Sequence, residues 1–302
     1  MRWARVEVAG LDNSAPGWHG GRVTSPKLDQ LHELLRSFGS CLVAYSGGVD
    51  SALLACVASR VLGERALAAI ADSPSLPRRE LAEAMALGER FGFRVRIIQT
   101  QEFENPEYLA NPSNRCYFCK HELFARLEPL AKHEGFKVIA YGENASDVGD
   151  HRPGSKAAAE FQIRAPLKEI GFTKAEIRQF SSELGLPTAD KPEMPCLSSR
   201  IPHGQPVSTA KLRMIEQSEA FLHDLGFHTV RVRHHDIKGG HLARIELGQE
   251  EMKLIKDVRI ANRATTALIG FGYQQVTVDP NGYRRGGAKS GTKGTGTSNS
   301  EH

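Results

Sequence analysis

The chain has 302 residues, of which 40% are hydrophobic, 25% charged and 7% aromatic. These fractions exclude collagen-like, wholly disordered and membrane-dominated chains. Lys and Arg total 39 and Asp and Glu total 35, so the net charge of +4 favours a phosphate-bearing small ligand over a polyanion. The sequence has no bilayer-length apolar run and no secretory signal, which predicts a cytoplasmic protein without membrane or nucleic-acid partners.

The two ends of the chain differ in composition from the rest. Residues 1–25 contain glycine and proline turns with little periodicity and predict a flexible leader. Residues 286–302 are rich in Gly, Ser and Thr and predict a disordered tail. Between them we predict two domains, over residues 26–204 and 205–285.

In the first predicted domain, short apolar runs alternate with helical periodicity. The runs predict strands at Cys41–Tyr45, Ala66–Ala71, Phe93–Ile98 and Lys137–Tyr141. The periodic segments predict helices at about Leu28–Phe38, Asp50–Leu62, Pro77–Phe91 and Phe118–His133. This alternation is typical of an α/β fold with a parallel sheet covered on both faces, in which ligands bind beyond the carboxyl ends of the strands.

The pattern changes after about Pro187, where a proline-rich segment without helical periodicity begins. Beyond it we predict helices at Thr209–Leu225 and Glu250–Gly270, and strands at His228–His235, His241–Leu247 and Tyr273–Val278. These elements predict a second, smaller α+β domain.

The first predicted strand runs directly into a glycine loop at the start of a helix. The loop consists of Ser46, Gly47, Gly48, Val49, Asp50 and Ser51. Its glycines let backbone N–H groups approach an anion, its serines add donors, and the helix N-terminus adds a positive dipole end. It lacks the lysine of the GxxxxGK[ST] loop. An ordinary strand–turn–helix corner is the alternative interpretation.

This SGGVDS segment resembles the PP-loop of the N-type ATP pyrophosphatases. The resemblance implies that the six loop residues bind ATP and that ATP is cleaved between its α and β phosphates. In such folds the end of the second strand holds the adenosine, so Asp72 is a predicted ATP contact. A polar cap at a strand end is the alternative for Asp72.

Five further segments together are similar to the LarE family of ATP-dependent sacrificial sulfur transferases. They are NPSNRCYFCK (111–120), GENASDVGDHRPG (142–154), APLKEIGFTKAEIR (165–178), LGLPTADKPEMPCLSSRIPHG (184–204) and VRVRHH (230–235). The resemblance covers residues 28–285. It implies a parallel-sheet PP-loop ATP pyrophosphatase domain, adenine nucleotide alpha hydrolase-like, followed by a smaller C-terminal α+β domain for substrate or oligomer contacts.

The resemblance also implies a reaction. ATP, with Mg²⁺ to neutralise its charge, adenylates a carboxylate of pyridinium-3,5-biscarboxylic acid mononucleotide. Sulfur then displaces AMP and leaves a thiocarboxylate, a step in the biosynthesis of the nickel-pincer nucleotide cofactor of lactate racemase. We therefore expect a small-molecule nucleotide substrate, and we also expect a homo-oligomer.

Three of the five cysteines are candidates for the sulfur chemistry. By resemblance Cys196 is the sulfur donor and, with Asp50, a catalytic residue; nearby Arg200 is positioned to favour its thiolate. The spacing of Cys116 and Cys119 brings two thiolates to one metal. The resemblance to three-cysteine family members implies a 4Fe-4S cluster on Cys116, Cys119 and Cys196, with one iron open for a transferable hydrosulfide.

Other interpretations of these cysteines remain. Cys116 and Cys119 with Cys196 and a histidine could bind structural zinc, or the pair could be a redox dithiol. All three could be free thiols, with Cys196 sacrificed by cleavage of its Cβ–S bond. Cys41 and Cys56 lie in apolar surroundings and predict core positions.

The segment after the fourth predicted strand carries Asp147 and Asp150, predicted as possible Mg²⁺ ligands at the sheet edge. The sequence departs from the closest family pattern here, because Ser146 stands in place of an aspartate and His151 in place of a tyrosine. An Asx-rich turn before a helix is the alternative.

Arginines on the VRVRHH strand predict an anion site. Arg231 and Arg233 alternate and so face one side, where paired guanidiniums suit a phosphate. By resemblance Arg231 and Arg233, with Glu219 and Arg284, help to bind the substrate phosphate and ribose, and Arg200 is also predicted to bind substrate. A solvated strand face is the alternative. Joint metal ligation by His234 and His235 is rejected, because adjacent strand residues point to opposite faces.

The helix face bearing Glu80, Glu83 and Arg90 is predicted to be solvated.

The alternative functions are a PP-loop tRNA thiolase with an iron–sulfur cluster, an amide-forming PP-loop ligase related to NAD synthase, and a non-catalytic nucleotide-binding or iron–sulfur scaffold. The thiolase requires an RNA surface, for which we find no Lys/Arg-dense stretch with interleaved aromatics.

Overall fold

The computed structural model describes residues 25–147 and 153–283. Asp150, Arg284, the predicted tail and the predicted leader up to residue 24 lie outside the described residues. Within them, no helix combines the length and apolar character that crossing a membrane requires. The predicted domain boundary near Gly204 stays a prediction.

Four parallel strands form the first sheet, in the order β3–β2–β1–β4. They are β1 (Cys41–Tyr45), β2 (Ala66–Asp72), β3 (Val95–Gln99) and β4 (Val138–Tyr141). Strand β1 pairs with β2 on one side and β4 on the other, and all five of its residues are buried. Its unbroken apolar run therefore reflects a central strand covered on both faces, as predicted.

Eight helices accompany this sheet in the described residues. They are α1 (Pro26–Phe38), α2 (Val49–Leu62), α3 (Arg78–Phe91), α4 (Pro106–Leu109), α5 (Arg115–Glu134), α6 (Pro153–Glu160), α7 (Pro166–Ile170) and α8 (Lys174–Glu183). Alternate residues of β1 enter two cores: Val43 packs in the core that includes α1 and α2, and Leu42 packs in the core that includes α5 and α6. The predicted α/β fold is confirmed.

A separate three-stranded sheet follows, consisting of β5 (Val230–Ile237), β6 (Gly240–Leu247) and β7 (Gln275–Val278). Strands β5 and β6 are antiparallel, and β6 and β7 are parallel. Helices α9 (Thr209–Asp224) and α10 (Val258–Gly270) contribute to its core. This is the smaller C-terminal α+β region that the sequence predicts.

The long helix predicted over Glu250–Gly270 is shorter in the structure. Residues Glu251–Lys256 form a 3₁₀ turn, and α10 begins at Val258. Asp257 separates the two, because its side chain accepts a hydrogen bond from Arg259 N and caps α10.

Candidate active site

The glycine loop between β1 and α2 is shaped largely by its own residues. Gly47 has φ +72°, and a Cβ there would lie 3.0 Å from Ala84 Cβ, so a side chain would be both strained and crowded. Ser51 Oγ donates to Gly48 O at 3.1 Å and accepts from Ser46 N at 3.1 Å. The loop thus closes on itself within six residues, directly at the N-terminus of α2, where an anion is favoured.

Asp50, in the first turn of α2, is held by side chains from two other elements. Its Oδ1 accepts from Asn144 Nδ2 at 3.0 Å, and its Oδ2 accepts from Lys174 Nζ at 2.5 Å. Behind them the end of β4 approaches α2 so closely that a Cβ at Gly142 would lie 2.7 Å from Ser51 N. Sequence reasoning missed Lys174 and Gly142 as site residues, although both lie in segments that carry the family resemblance.

Asp147 participates in a turn after β4. Its Oδ2 accepts from Asn144 N at 3.2 Å, and Asn144 Oδ1 accepts from Ser146 N at 2.9 Å. The Asx turn considered as an alternative is therefore present. A Mg²⁺ role for Asp147 stays a prediction.

Asp72, at the end of β2, contacts two neighbouring side chains. Arg78 Nη1 lies 2.5 Å from Asp72 Oδ1, and Gln99 Nε2 donates to Oδ2 at 3.0 Å. Burial opposes ionisation, but the hydrogen bonds from Arg78 and Gln99 lower the pKa of Asp72 overall. Its contact with ATP stays a prediction.

The loop that carries Cys196 is anchored beside the carboxyl end of β2. Leu197 N donates to Ser75 O at 2.8 Å. The hydroxyl groups of Ser75, Tyr108 and Ser198 form a buried cluster with oxygen–oxygen distances of 2.6, 2.8 and 2.9 Å. Because these contacts join residues far apart in the chain, Cys196 is brought to the ligand edge of the first sheet by tertiary packing alone.

Two residues just before the CxxC pair bind the same loop. Asn111, fully buried and with φ +55°, donates from Nδ2 to Pro202 O at 2.8 Å and to Gln205 O at 2.9 Å. Arg115 Nη1 donates to Ser198 O at 3.0 Å. Since Arg115 opens α5 and Cys116 follows it, these bonds fix the start of α5 against the Cys196 loop. Sequence reasoning quoted their segment but assigned them no role.

The three candidate cysteines interact electrostatically. Desolvation by the surrounding protein and then the charge of Cys196 raise the pKa of Cys116. Desolvation, the Glu102 carboxylate and Cys196 raise the pKa of Cys119. Among the described residues, however, the three sulfur atoms do not all lie within 4.8 Å of one another. Their spacing is therefore wider than a closed mononuclear zinc site, in which 2.3 Å Zn–S bonds place sulfurs about 4 Å apart.

The other two cysteines, Cys41 and Cys56, are buried in the core. The prediction that they fill the core is confirmed.

One cavity joins the glycine loop to the cysteines. It has a volume of about 440 Å³, and its lining includes Ser46, Gly48 and Asp50 of the loop as well as Cys119 and Cys196. We call the part lined by the loop residues the glycine-loop end and the part lined by the two cysteines the cysteine end. The volume of the cavity is typical of small-molecule sites. Basic side chains on its wall are Lys120, Lys174, Arg178 and Lys191. The cavity therefore combines an anion-binding loop, positive charge and a thiol.

Helix α3 contributes Glu80 to this cavity, so the prediction of a solvated face is wrong at Glu80, whereas Glu83 and Arg90 are exposed as predicted. Lys191 Nζ pairs with Glu80 Oε2 at 2.6 Å and with Glu83 Oε2 at 3.0 Å. The Glu80 side chain, only 12% exposed, lines the cavity itself.

Arg200 and Glu219 form a buried ion pair behind the Cys196 loop. Arg200 donates to the Glu219 carboxylate from Nε at 2.9 Å and from Nη2 at 3.0 Å. It also donates to Cys196 O at 3.2 Å. Burial opposes the charge, but the adjacent carboxylate raises the pKa of Arg200 overall. Arg200 is thus hydrogen-bonded to the peptide carbonyl of Cys196. The contact of Arg200 with substrate stays a prediction.

Arg231 and Arg233 are both buried, at 4% and 6% exposure, so the alternative of a solvated strand face is wrong. Arg233 is bonded to Glu246 Oε2 at 2.9 Å. Arg231 lies over the Tyr283 ring at 5.3 Å and lines a second cavity of about 320 Å³ together with Lys174. Burial lowers the pKa of Arg231. Of the two arginines, Arg231 is the one that lines this cavity, and its guanidinium also donates to Val230 O at 2.7 Å.

The fold and the loop define the class of protein, a PP-loop enzyme that uses ATP. The NAD synthase family model matches residues 28–126, which contain the glycine loop. A glutamine-hydrolyzing GMP synthase component of Methanococcus vannielii is 24% identical over 157 residues, 48% of this chain and 50% of that protein.

Two relatives match nearly the whole chain. An uncharacterized protein of Synechocystis is 44% identical over 261 residues, 86% of this chain and 96% of its own. The pyridinium-3,5-bisthiocarboxylic acid mononucleotide synthase of Lactiplantibacillus plantarum is 33% identical over 254 residues, 83% of this chain and 90% of that enzyme. The chain therefore belongs to the LarE family, and it is an ATP-using sulfurtransferase.

Proposed function

We propose that this chain adenylates a carboxylate of pyridinium-3,5-biscarboxylic acid mononucleotide with ATP and replaces a carboxylate oxygen by sulfur. The observation that carries the proposal is the shared cavity, in which Cys196 and Asp50 line the same space. The name of the Lactiplantibacillus relative supports the acceptor. The product would serve the biosynthesis of the nickel-pincer nucleotide cofactor.

The glycine-loop end of the cavity suits the first step. A carboxylate oxygen of the substrate attacks the α-phosphorus of ATP, pyrophosphate leaves, and an acyl adenylate forms. The backbone N–H groups of the loop and the N-terminus of α2 would hold the phosphates, with Lys174 beside them. Asp50, which Lys174 and Asn144 hold by hydrogen bonds, would hold Mg²⁺ beside the phosphates, with Asp147 and Asp150 as further candidate ligands.

The cysteine end suits the second step. A sulfur nucleophile attacks the acyl carbon, and AMP leaves with the original carboxylate oxygen. If the nucleophile is Cys196 itself, the thioester is then resolved by loss of the Cα proton and cleavage of the Cβ–S bond. The sulfur stays on the substrate as a thiocarboxylate, and residue 196 becomes dehydroalanine.

A multiple-turnover route needs a different sulfur source. Cys119 and Cys196 line the cavity, Cys116 interacts electrostatically with Cys196, and thiolates are the ligands that iron–sulfur clusters use. When bound there, a 4Fe-4S cluster would supply an iron without a protein ligand, able to carry the sulfide that is transferred. We favour this arrangement over structural zinc, because the three sulfurs are too widely spaced for a single tetrahedral ion.

The second cavity suits the phosphate end of the substrate. Arg231 lines it beside Lys174 and Arg178, and its guanidinium plane lies over Tyr283. Arg233 and the Arg200–Glu219 pair support this wall from behind, and Arg284 follows Tyr283 directly in the sequence. We assign Arg231 as the main residue that binds the substrate phosphate, and we assign the other predicted residues the role of positioning Arg231.

The test is turnover of the anaerobically purified protein with ATP and the biscarboxylate mononucleotide. Pyrophosphate release reports adenylation, and intact-protein mass before and after reports the fate of Cys196. Loss of one H₂S from the protein indicates the sacrificial route. An unchanged mass with broad iron–sulfur absorbance and repeated turnover indicates the cluster route.

The Cys196→Ala variant separates the two steps. It should release pyrophosphate but form no thiocarboxylate, whereas Cys41→Ala, in the buried strand, should do both. Thiocarboxylate formation by Cys196→Ala at the parent rate would refute the proposal.

A further inference from the structure

A second group of metal-ligand side chains lies in the C-terminal sheet. It consists of His234 and Asp236 on β5 and His241 on β6, whose ligand atoms all lie within 4.8 Å of one another. Asp236 Oδ1 is 3.4 Å from His234 Nε2 and 3.0 Å from His241 Nδ1. We propose that these three side chains form a binding site for a divalent first-row transition-metal ion.

The hairpin geometry brings the three residues together. His234 and Asp236 are two residues apart on β5 and so share one face. The β5–β6 register pairs Asp236 with His241 across the hairpin, and a two-residue turn that includes Gly239, with φ +89°, fixes that register. His235 faces the other side, which agrees with the rejection of joint ligation by His234 and His235.

His234 is the observation that points to a ligand. It is fully buried, and its Nε2 has no hydrogen-bond partner in the part of the chain that the structure describes. Its Nδ1 lies 3.2 Å from Tyr273 Oη. Nε2 lies 3.4 Å from Asp236 Oδ1 without the geometry of a hydrogen bond. In the tautomer whose Nδ1–H donates to Tyr273, the Nε2 lone pair is beside that carboxylate oxygen, an arrangement that favours a cation between them. Metal-bound histidines commonly donate their other N–H in this way.

His241 Nδ1 and Asp236 Oδ1 are within hydrogen-bond distance of each other, and a metal ion would replace that contact. The other contacts of the group fall on other atoms, and the site is open. Lys211 Nζ binds the other carboxylate oxygen, Asp236 Oδ2, at 2.6 Å and so orients Oδ1 toward the histidines. The side chains of Asp236 and His241 are 34% and 33% exposed, so an ion can enter and keep a water ligand. Two imidazole nitrogens with one carboxylate oxygen suit Zn²⁺, Co²⁺ or Ni²⁺ better than Mg²⁺ or Ca²⁺, which prefer oxygen.

This site is separate from the proposed sulfur chemistry. His234 and Asp236 lie on the face of β5 opposite Arg231 and Arg233. A bound ion would connect the hairpin to α9 through Lys211 and to the segment before β7 through Tyr273. A test of metal binding at this site therefore neither supports nor contradicts the proposed sulfur-transfer function.

The test uses the full chain with Cys116, Cys119 and Cys196 replaced by serine, which removes the competing thiolates. After chelator treatment and dialysis, Zn²⁺ is titrated in competition with a chromophoric chelator, and Co²⁺ is titrated by absorbance. We expect one equivalent of tightly bound metal and d–d bands without thiolate charge transfer. His241→Ala should weaken Zn²⁺ binding ~10-fold or more, whereas His133→Ala, an exposed histidine on α5, should leave it unchanged.

Thermal unfolding supplies a second readout. Zn²⁺ should raise the Tm of the triple-serine parent and of His133→Ala but not of His241→Ala, because a ligand stabilises the fold only where it binds the folded state. His241 is partly exposed, so its removal should not prevent folding. Absence of stoichiometric Zn²⁺ binding by the triple-serine parent, or equal affinity in His241→Ala, would overturn the proposal.

Discussion

The two ends of the cavity are built by different means. At the glycine-loop end, the contacts that shape the loop run between Ser46, Gly48 and Ser51, within six residues of chain. At the cysteine end, the residues after Cys196 are bonded to residues far away in the sequence: Leu197 N donates to Ser75 O, and Arg115 donates to Ser198 O. Long-range contacts are lost together when packing is disturbed, whereas a local loop retains most of the contacts between its own residues. Changes at the cysteine end should therefore disturb sulfur transfer and stability together, and changes in the loop should disturb adenylation alone.

Removing the charge of Glu219 is expected to have the largest effect. Glu219→Gln leaves the Arg200 guanidinium buried without its counter-ion, and the loss of one partner of a buried pair costs about 3–5 kcal/mol. Chemical denaturation measures the free energy of unfolding. The control is Glu128→Gln, whose carboxylate pairs with Lys132 at 51% exposure and which should change that free energy by less than about 1 kcal/mol. Similar costs in both variants would show that the buried pair does not organise the cysteine end.

The substitution Asp50→Asn tests the glycine-loop end of the cavity. The amide cannot hold Mg²⁺ as the carboxylate does and cannot balance Lys174, so pyrophosphate release should fall by roughly 100-fold, about 2.7 kcal/mol in the barrier. Stability should change little. Asp29→Asn, an exposed acid in the first turn of α1, is the matched control and should release pyrophosphate at the parent rate. A stable Asp50→Asn variant with parent kinetics would remove Asp50 from the mechanism.

The same difference explains what the sequence could and could not predict. Strand β1 and the glycine loop were predictable because burial on both faces leaves an unbroken apolar run and the loop chemistry is contiguous in sequence. The pairing of Arg200 with Glu219 could not be predicted, because the sequence spacing of two charged residues does not indicate whether they meet in the folded protein. Helix α8 was missed although the capping box of Thr173 and Glu176 marks its start.

Asn111→Ala is a change at the cysteine end that replaces neither a cysteine nor a charged residue, although Asn111 Oδ1 accepts a hydrogen bond from Arg115 Nη1. It removes the Asn111 Nδ2 donor from Gln205 O and from Pro202 O, which keeps a hydrogen bond from Gln205 N, and it places alanine at φ +55°. We therefore expect a cost of about 2 kcal/mol and slower sulfur transfer at a near-normal rate of pyrophosphate release. The control is Asn105→Ala, which removes only the local N-cap of α4 and should cost about 1 kcal/mol without affecting sulfur transfer. Equal effects on sulfur transfer would contradict the distinction between the two ends.

The smallest effect is expected from Glu176→Gln, at a site that combines a local cap with a long-range ion pair. Hydrogen bonds from Lys27 and Thr173 lower the pKa of Glu176 to about 2. The pKa of Glu176 is lower in the folded state than its ordinary value of 4.5, which applies to the unfolded state. The ionised carboxylate therefore stabilises the fold at pH values above 4.5, and this stabilisation is lost as the pH falls toward 2. Glutamine keeps the cap but removes the charge. Because both partners are 34% exposed, we expect a cost of only about 0.5 kcal/mol at pH 7.

The pH dependence of that cost identifies its origin. The difference in unfolding free energy between the parent and Glu176→Gln should shrink between pH 4.5 and pH 2 and should also shrink in high salt, since both conditions weaken the pair with Lys27. Glu183→Gln, whose carboxylate accepts a hydrogen bond from the neutral Gln179 side chain on the same helix, should show neither trend. A difference that is constant with pH would mean that the local cap, and not the charge that links α8 to α1, is what Glu176 contributes.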